Sequence, residues 1–154
     1  MLKIKEAIVV EGRYDKNTLS QIVDAPIFET GGFAIFKDKQ QISLLRQIAR
    51  RRGLIIFTDS DGAGFVIRNY LKGALPKDQV KQAYIPDVMG KERRKRHAGK
   101  EGKLGVEGMT PQVILEALGG GGNAATAGAQ IPDANVKDVL DRLVESIDKF
   151  YELY

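Results

Sequence analysis

The chain has 154 residues, 43% of them hydrophobic, and a formal net charge of +4; this suits one well-packed domain with a short appendage and argues against wholesale disorder. The absence of cysteine excludes disulfides, thiolate zinc sites and cysteine nucleophiles. No basic region followed by an apolar core opens the chain, and no apolar run reaches the roughly 20 residues of a membrane helix, so a cytoplasmic protein without membrane association is expected.

Ala7-Ile8-Val9-Val10 is a short apolar run that ends abruptly in Glu11-Gly12, as a buried parallel strand does. Asp15 or Asn17 then caps a helix running through Leu19, Ile22 and Val23. Residues 26–30 read as a second strand, closed by Gly31-Gly32. From Asp38 to Arg52 the pattern is helical, with Ile42, Leu45 and Ile48-Ala49 on one face and Gly53 at the stop. Leu54-Ile55-Ile56-Phe57 is another buried strand, followed by Thr58-Asp59-Ser60-Asp61 and Gly62-Ala63-Gly64. A helix from about Ala63 to Ala74 presents Val66, Ile67, Tyr70 and Leu71, and a weaker strand, Gln82-Ala83-Tyr84-Ile85, stops at Pro86. This alternation predicts an α/β fold: a doubly wound, mostly parallel sheet with helices on both faces.

Gly90 to Gly105 breaks the alternation and reads as a long mobile loop. Thr110-Pro111 opens a helix through Leu118, with threonine as cap and proline in the first turn. Residues 119–132 form a glycine-rich linker, and residues 133–154 an amphipathic C-terminal helix carrying Val136, Leu140, Leu143, Ile147 and Phe150. The organisation is thus a catalytic domain over 1–118, a linker and a helix.

Ligand sites of open α/β sheets lie just beyond the carboxyl ends of the strands, where this sequence places Glu11, Asp59 and Asp61. Clustered carboxylates repel one another unless a cation or a proton neutralises them. Asp-x-Asp at a strand end presents two carboxylates to one Mg2+ ion, whose shell is completed by water and substrate phosphate. Glu11 completes that set or acts as general acid or base. The competing reading makes Asp59 and Asp61 turn and helix-cap residues and Glu11 a solvated strand end. Asp15 and Glu107 are additional candidate acids, and Gly12 and Gly64 suit close approach of backbone to a polyanion.

Residues 91–103 hold seven cationic side chains against two glutamates. Arg93, Arg94, Lys95, Arg96, Lys100 and Lys103 are the candidate phosphate contacts, favouring nucleic acid over a merely solvated charge run. His97, the only histidine, reads as a surface residue.

Ile8-Val9-Val10-Glu11-Gly12 with Thr58-Asp59-Ser60-Asp61 and Gly64 resembles the Toprim domain, whose signature is one strand-end glutamate and a later Asp-x-Asp. An ordered series, Glu11-Gly12-Arg13-Tyr14-Asp15, Glu29-Thr30-Gly31-Gly32, Ile67-Arg68, Ala83-Tyr84-Ile85-Pro86 and Gly105-Val106-Glu107, is similar to the ribonuclease M5 branch over roughly residues 3–118. The resemblance implies a magnesium-dependent endoribonuclease that cleaves double-stranded RNA in 5S rRNA precursor maturation, its substrate presented with a ribosomal protein bound. It carries Glu11, Asp59 and Asp61 over as the catalytic and metal-binding set. The C-terminal region departs from the family, which usually continues into a small basic second domain. The alternatives are a Toprim domain acting on DNA and a non-catalytic phosphoacceptor module.

Overall fold

The structure, a computed structural model, describes residues 1–119; the predicted C-terminal helix and all but the first residue of the predicted linker lie outside the described residues. Their elements in chain order are β1 (Leu2–Lys3), β2 (Ala7–Val10), α1 (Arg13–Ser20), β3 (Val23–Asp24), β4 (Ile27–Glu29), α2 (Lys39–Arg52), β5 (Leu54–Phe57), α3 (Gly62–Ala74), β6 (Val80–Ala83) and α4 (Pro111–Gly119). Short 3-10 turns occupy Gly32–Phe36, Lys77–Gln79 and Val106–Gly108.

Four parallel strands make the central sheet in the order β4-β2-β5-β6. β2 and β5 are buried at every position, which is why both read as unbroken apolar runs rather than alternating ones. Their side chains still alternate between faces. Ile8, Val10, Ile55 and Phe57 pack with Leu19 of α1 and Ile114 of α4 on one face. Ala7, Val9, Leu54 and Ile56 pack with Ile42, Leu45 and Ala49 of α2 and Ile67 and Leu71 of α3 on the other. The predicted α/β sheet with helices on both faces is therefore the observed one.

Several boundaries differ from the sequence reading, each for a tertiary reason. α1 stops at Ser20, because Val23 is taken into β3, which pairs with β1 in a separate two-stranded parallel sheet. Its N-cap is Gly12; Asp15 sits in the first turn and accepts a hydrogen bond from the Gly12 amide at 3.2 Å. β6 begins at Val80 and ends at Ala83, since its pairing with Leu54–Phe57 sets its length. On α3, Val66 is 51% exposed, whereas Arg68 is buried. Asp38, read from sequence as the first helical residue, is instead the N-cap of α2, accepting from the Gln41 amide at 2.9 Å, and Gly53 ends that helix, as expected, at φ +80°.

Residues 90–105 are pinned rather than free. The Gly90 amide donates to the Gly102 carbonyl at 2.9 Å and the Leu104 amide to the Val88 carbonyl at 2.7 Å. An antiparallel bridge joins Met89 to Lys103. The excursion closes on itself, so its charged tip starts from a fixed base.

Candidate active site

The register of the central strands brings the first two acids together. Ile8 pairs with Ile55 and Val9 with Ile56, so Glu11 and Asp59 leave adjacent strand ends. The Asp59 amide donates to Glu11 Oε1 at 2.8 Å. Asp59 Oδ1 accepts in turn from the Val106 amide at 2.7 Å. Asp15 Oδ1 accepts from the Glu107 amide at 3.1 Å, so α1, β5 and the 3-10 turn at Val106–Gly108 are tied together through carboxylates. Glu11, Asp15, Asp59 and Glu107 all line one open cleft, with Glu29, Glu92, Arg94 and Lys95.

Asp61 is placed differently. It is the N-cap of α3, with Oδ1 accepting from the Gly64 amide at 2.7 Å, and it stands outside the cleft lining. The capping role considered from sequence is thus what its hydrogen bond performs, while its charge still acts on Glu11 and Asp59.

The cleft is electrostatically loaded. Burial, then the neighbouring Asp59 charge, pushes Glu11 up to about 7. The same two causes in the same order push Asp15 up to about 7. Burial also raises Asp59, offset in part by the Val106 amide. These carboxyls cannot all ionise near neutral pH without a compensating cation. A hard divalent cation fits the donor set, which is entirely carboxylate oxygen. Among the described residues no three such side chains converge as a ready-made ligand set for one ion, so an ion held here would take one or two carboxylates and fill its shell with water and substrate oxygens.

Two glycines make the packing around Asp59 feasible. A β-carbon at Gly64 would fall 2.2 Å from the Asp59 carbonyl oxygen and 2.7 Å from Glu11 Oε1. One at Gly105 would fall 2.5 Å from the Asp59 carboxylate. Gly64 was legible as a close-approach position; Gly12 has extended backbone, and a β-carbon there would meet only Asp15 Oδ2 at 3.9 Å, so neither turn geometry nor packing demands glycine there.

The basic excursion supplies Arg94 and Lys95 to the cleft, beside Arg13 of α1. Arg94 forms a two-pronged pair with Glu107, both contacts at 3.0 Å, and its guanidinium lies 3.8 Å from the Tyr14 ring centre. Lys95 reaches Glu92 at 3.0 Å, and Lys103 pairs with Asp87 at 3.1 Å and Glu101 at 3.5 Å. Among the described residues, Arg93, Arg96 and Lys100 make no ion pair and are exposed. The six predicted phosphate contacts therefore divide into three that hold the excursion in place and three that project from it.

Sequence reasoning counted Glu92 merely as an acid among cations. In the fold it is 3% exposed and accepts from the Gly105 amide at 3.0 Å. Burial pushes its carboxyl up, and the Gly105 amide and Lys95 more than offset that, leaving it below the ordinary range. Arg68 was also missed as a structural centre. It donates to the Ala83 carbonyl at 2.7 Å, the Ile56 carbonyl at 3.3 Å and Gln82 Oε1 at 2.8 Å, and it stacks 4.2 Å from the Tyr84 ring centre. It thereby fastens β5 to β6 just below the acids. An arginine on an otherwise apolar helical face was one available signal, and its place in the ordered series of motifs another.

The family model described as "Toprim domain" matches residues 5–86, the stretch that holds Glu11, Asp59 and Asp61. The chain belongs to the Toprim domain family. This Toprim chain is 42% identical over 116 residues to a ribonuclease M5 of Fusobacterium nucleatum, covering 75% of the chain and 57% of that protein. It is 41% identical over 118 residues to one of Lactiplantibacillus plantarum, covering 77% and 58%. To one of Staphylococcus aureus it is 34% identical over 152 residues, covering 96% and 68%. The chain thus spans somewhat more than half the length of the first two. A solved structure of a small TOPRIM domain protein from Bacillus stearothermophilus is 21% identical at a TM-score of 0.47, covering 76% of this chain and 91% of that one.

Proposed function

We propose that the chain is a magnesium-dependent endoribonuclease that cuts structured, double-stranded RNA, and that its substrate is the 5S rRNA precursor. The observation that carries this reading is the juxtaposition of Glu11, Asp15 and Asp59 with Arg94 and Lys95 in one cleft. Acids raised by burial suit a cation, and cations beside them suit the phosphodiester that a cation would polarise. The identity to ribonuclease M5 proteins supports the choice of RNA.

In this reading Asp59 is the principal ligand, because its charge is the one that perturbs both Glu11 and Asp15. Its Oδ2 takes no hydrogen bond among the described residues and would face the ion, while Oδ1 stays fixed by the Val106 amide. Glu11 would contribute Oε2 to the ion, which would favour its ionised form; without an ion, burial and Asp59 favour a proton there. Asp61 contributes through its charge and its orientation of α3. Bound Mg2+ would supply phosphoryl polarisation and a more acidic water. Arg94 would exchange Glu107 for a phosphate oxygen pair, the same two-pronged geometry. Arg93, Arg96 and Lys100 would follow the backbone, giving affinity without sequence readout, so duplex RNA is selected by shape. A ribosomal protein bound to the precursor is the partner proposed for presenting the substrate, and the cytoplasm is the proposed compartment; among the described residues no helix is long and apolar enough to cross a membrane.

The test is Asp59→Asn. Cleavage of a 5S precursor in Mg2+ should fall by about 1,000-fold or more while the RNA affinity in gel shift stays within a few-fold. Unimpaired cleavage by that variant removes the metal assignment.

A further inference from the structure

The turn Gly32–Phe36 leaves the cleft carrying an exposed aromatic pair. Gly31 and Gly32 line the cleft, and Phe33 is the next residue. Ile35 is fully buried and pins the turn to the core, while Phe33 is 56% and Phe36 37% exposed. The two rings are stacked, 5.5 Å between centres and 19° apart in plane. Tyr70 of α3 meets Phe36 edge-on at 4.8 Å, so the pair is buttressed from behind. Lys37 and Lys39 follow immediately, both exposed and without an ion pair among the described residues.

Two adjacent phenylalanines left in water have no use in the core, whose inward contact at this turn is made by Ile35. A buttressed ring face beside unpaired lysines, one residue from an anion-directed cleft, has the composition of a single-strand stacking site: π-surface for a base and ammonium groups for the flanking phosphates. Base pairs inside a helix are stacked on both faces and offer none to such a ring, so the occupant is a nucleotide beyond the duplex.

We infer that Phe33 and Phe36 form a stacking platform for an unpaired nucleotide adjoining the duplex RNA held in the cleft. The inference rests on the endoribonuclease reading and narrows it. The substrate is a duplex with a single-stranded junction, such as a precursor's extension beyond its mature stem, rather than an uninterrupted helix.

The experiment uses the whole chain. It contains no tryptophan, so Phe33→Trp places a lone fluorescent indole on the platform while keeping it aromatic. The probes are one RNA duplex made blunt, with a four-nucleotide 5′ extension, and with the same 3′ extension; binding and Mg2+-dependent cleavage are read in the same samples. The platform predicts that one extended duplex quenches the indole and binds about tenfold tighter than the blunt duplex, one base stack's worth. It also predicts that Phe33→Leu with Phe36→Leu abolishes that preference with blunt-duplex affinity unchanged. Cleavage by the wild-type chain, with no quenching in Phe33→Trp and no preference for either extension, overturns the platform and leaves the endoribonuclease reading standing. A wild-type chain that neither binds nor cuts any of these RNAs overturns both. Indole emission that changes with protein concentration alone assigns the pair to self-association and overturns the platform.

Discussion

Glu11→Gln offers the sharpest physical test of the cleft. Glu11 is raised from 4.5 to about 7 by burial and by Asp59. Between those values the folded chain holds a proton that the unfolded chain has released, so wild-type stability declines as pH rises through that window. Above about pH 7 the ionised carboxylate costs about 3 kcal/mol relative to the same group in the unfolded chain. Glutamine keeps an oxygen to accept from the Asp59 amide, as Oε1 does at 2.8 Å, and carries no charge. Urea unfolding in a chelator at pH 8 should therefore find Glu11→Gln more stable than wild type by about 2–3 kcal/mol, with a Tm roughly 8–12 °C higher. Near pH 4.5 the two should differ by less than about 0.5 kcal/mol, because both side chains are then neutral in the folded state. Adding Mg2+ at pH 8 should recover most of the wild-type deficit and do less for the variant. A variant no more stable than wild type at pH 8 without metal would refute the claim that unrelieved carboxylate charge dominates this cleft.

The remaining predictions concern the surroundings of the acids. Replacing Arg93, Arg96 and Lys100 together with glutamine should lower the slope of log affinity against log salt by about 2 to 3, measured by fluorescence anisotropy across a salt series, and leave the melting temperature almost unchanged; an unaltered slope would take the tip of the excursion out of the interface. Gly105→Ala must displace Asp59 or the Val106 amide, since its β-carbon would lie 2.5 Å from the carboxylate. It should lose about 1–3 kcal/mol of stability and about 100-fold in cleavage rate. Gly99→Ala, which meets nothing within 4 Å, is the matched control, and equal rates for the two variants would show that Asp59 is not held by this packing.

What the sequence alone determined is local burial and its period. Two four-residue apolar runs too short for helices, one halted by Glu11-Gly12 and the other by Thr58-Asp59-Ser60-Asp61-Gly62, were enough to predict buried parallel strands and to put Glu11 and Asp59 at their ends. Gly64 was legible because a close approach of backbone demands glycine and the Asp-x-Asp before it marked the place. The tertiary structure alone decided which carboxylate meets which amide. Asp15 and the Glu107 amide are 92 positions apart, and nothing within a few residues of either encodes their meeting. The same holds for Glu92, indistinguishable from a solvated acid until the Gly105 amide comes back to it, and for Arg68, whose carbonyl partners belong to two different strands. Asp61 shows the converse: its motif marked it as a ligand, while the start of α3 claimed one of its oxygens. Apolar patterning is written along the chain because burial is a property of each residue. Partnerships among polar groups are not, because they depend on where the chain crosses itself.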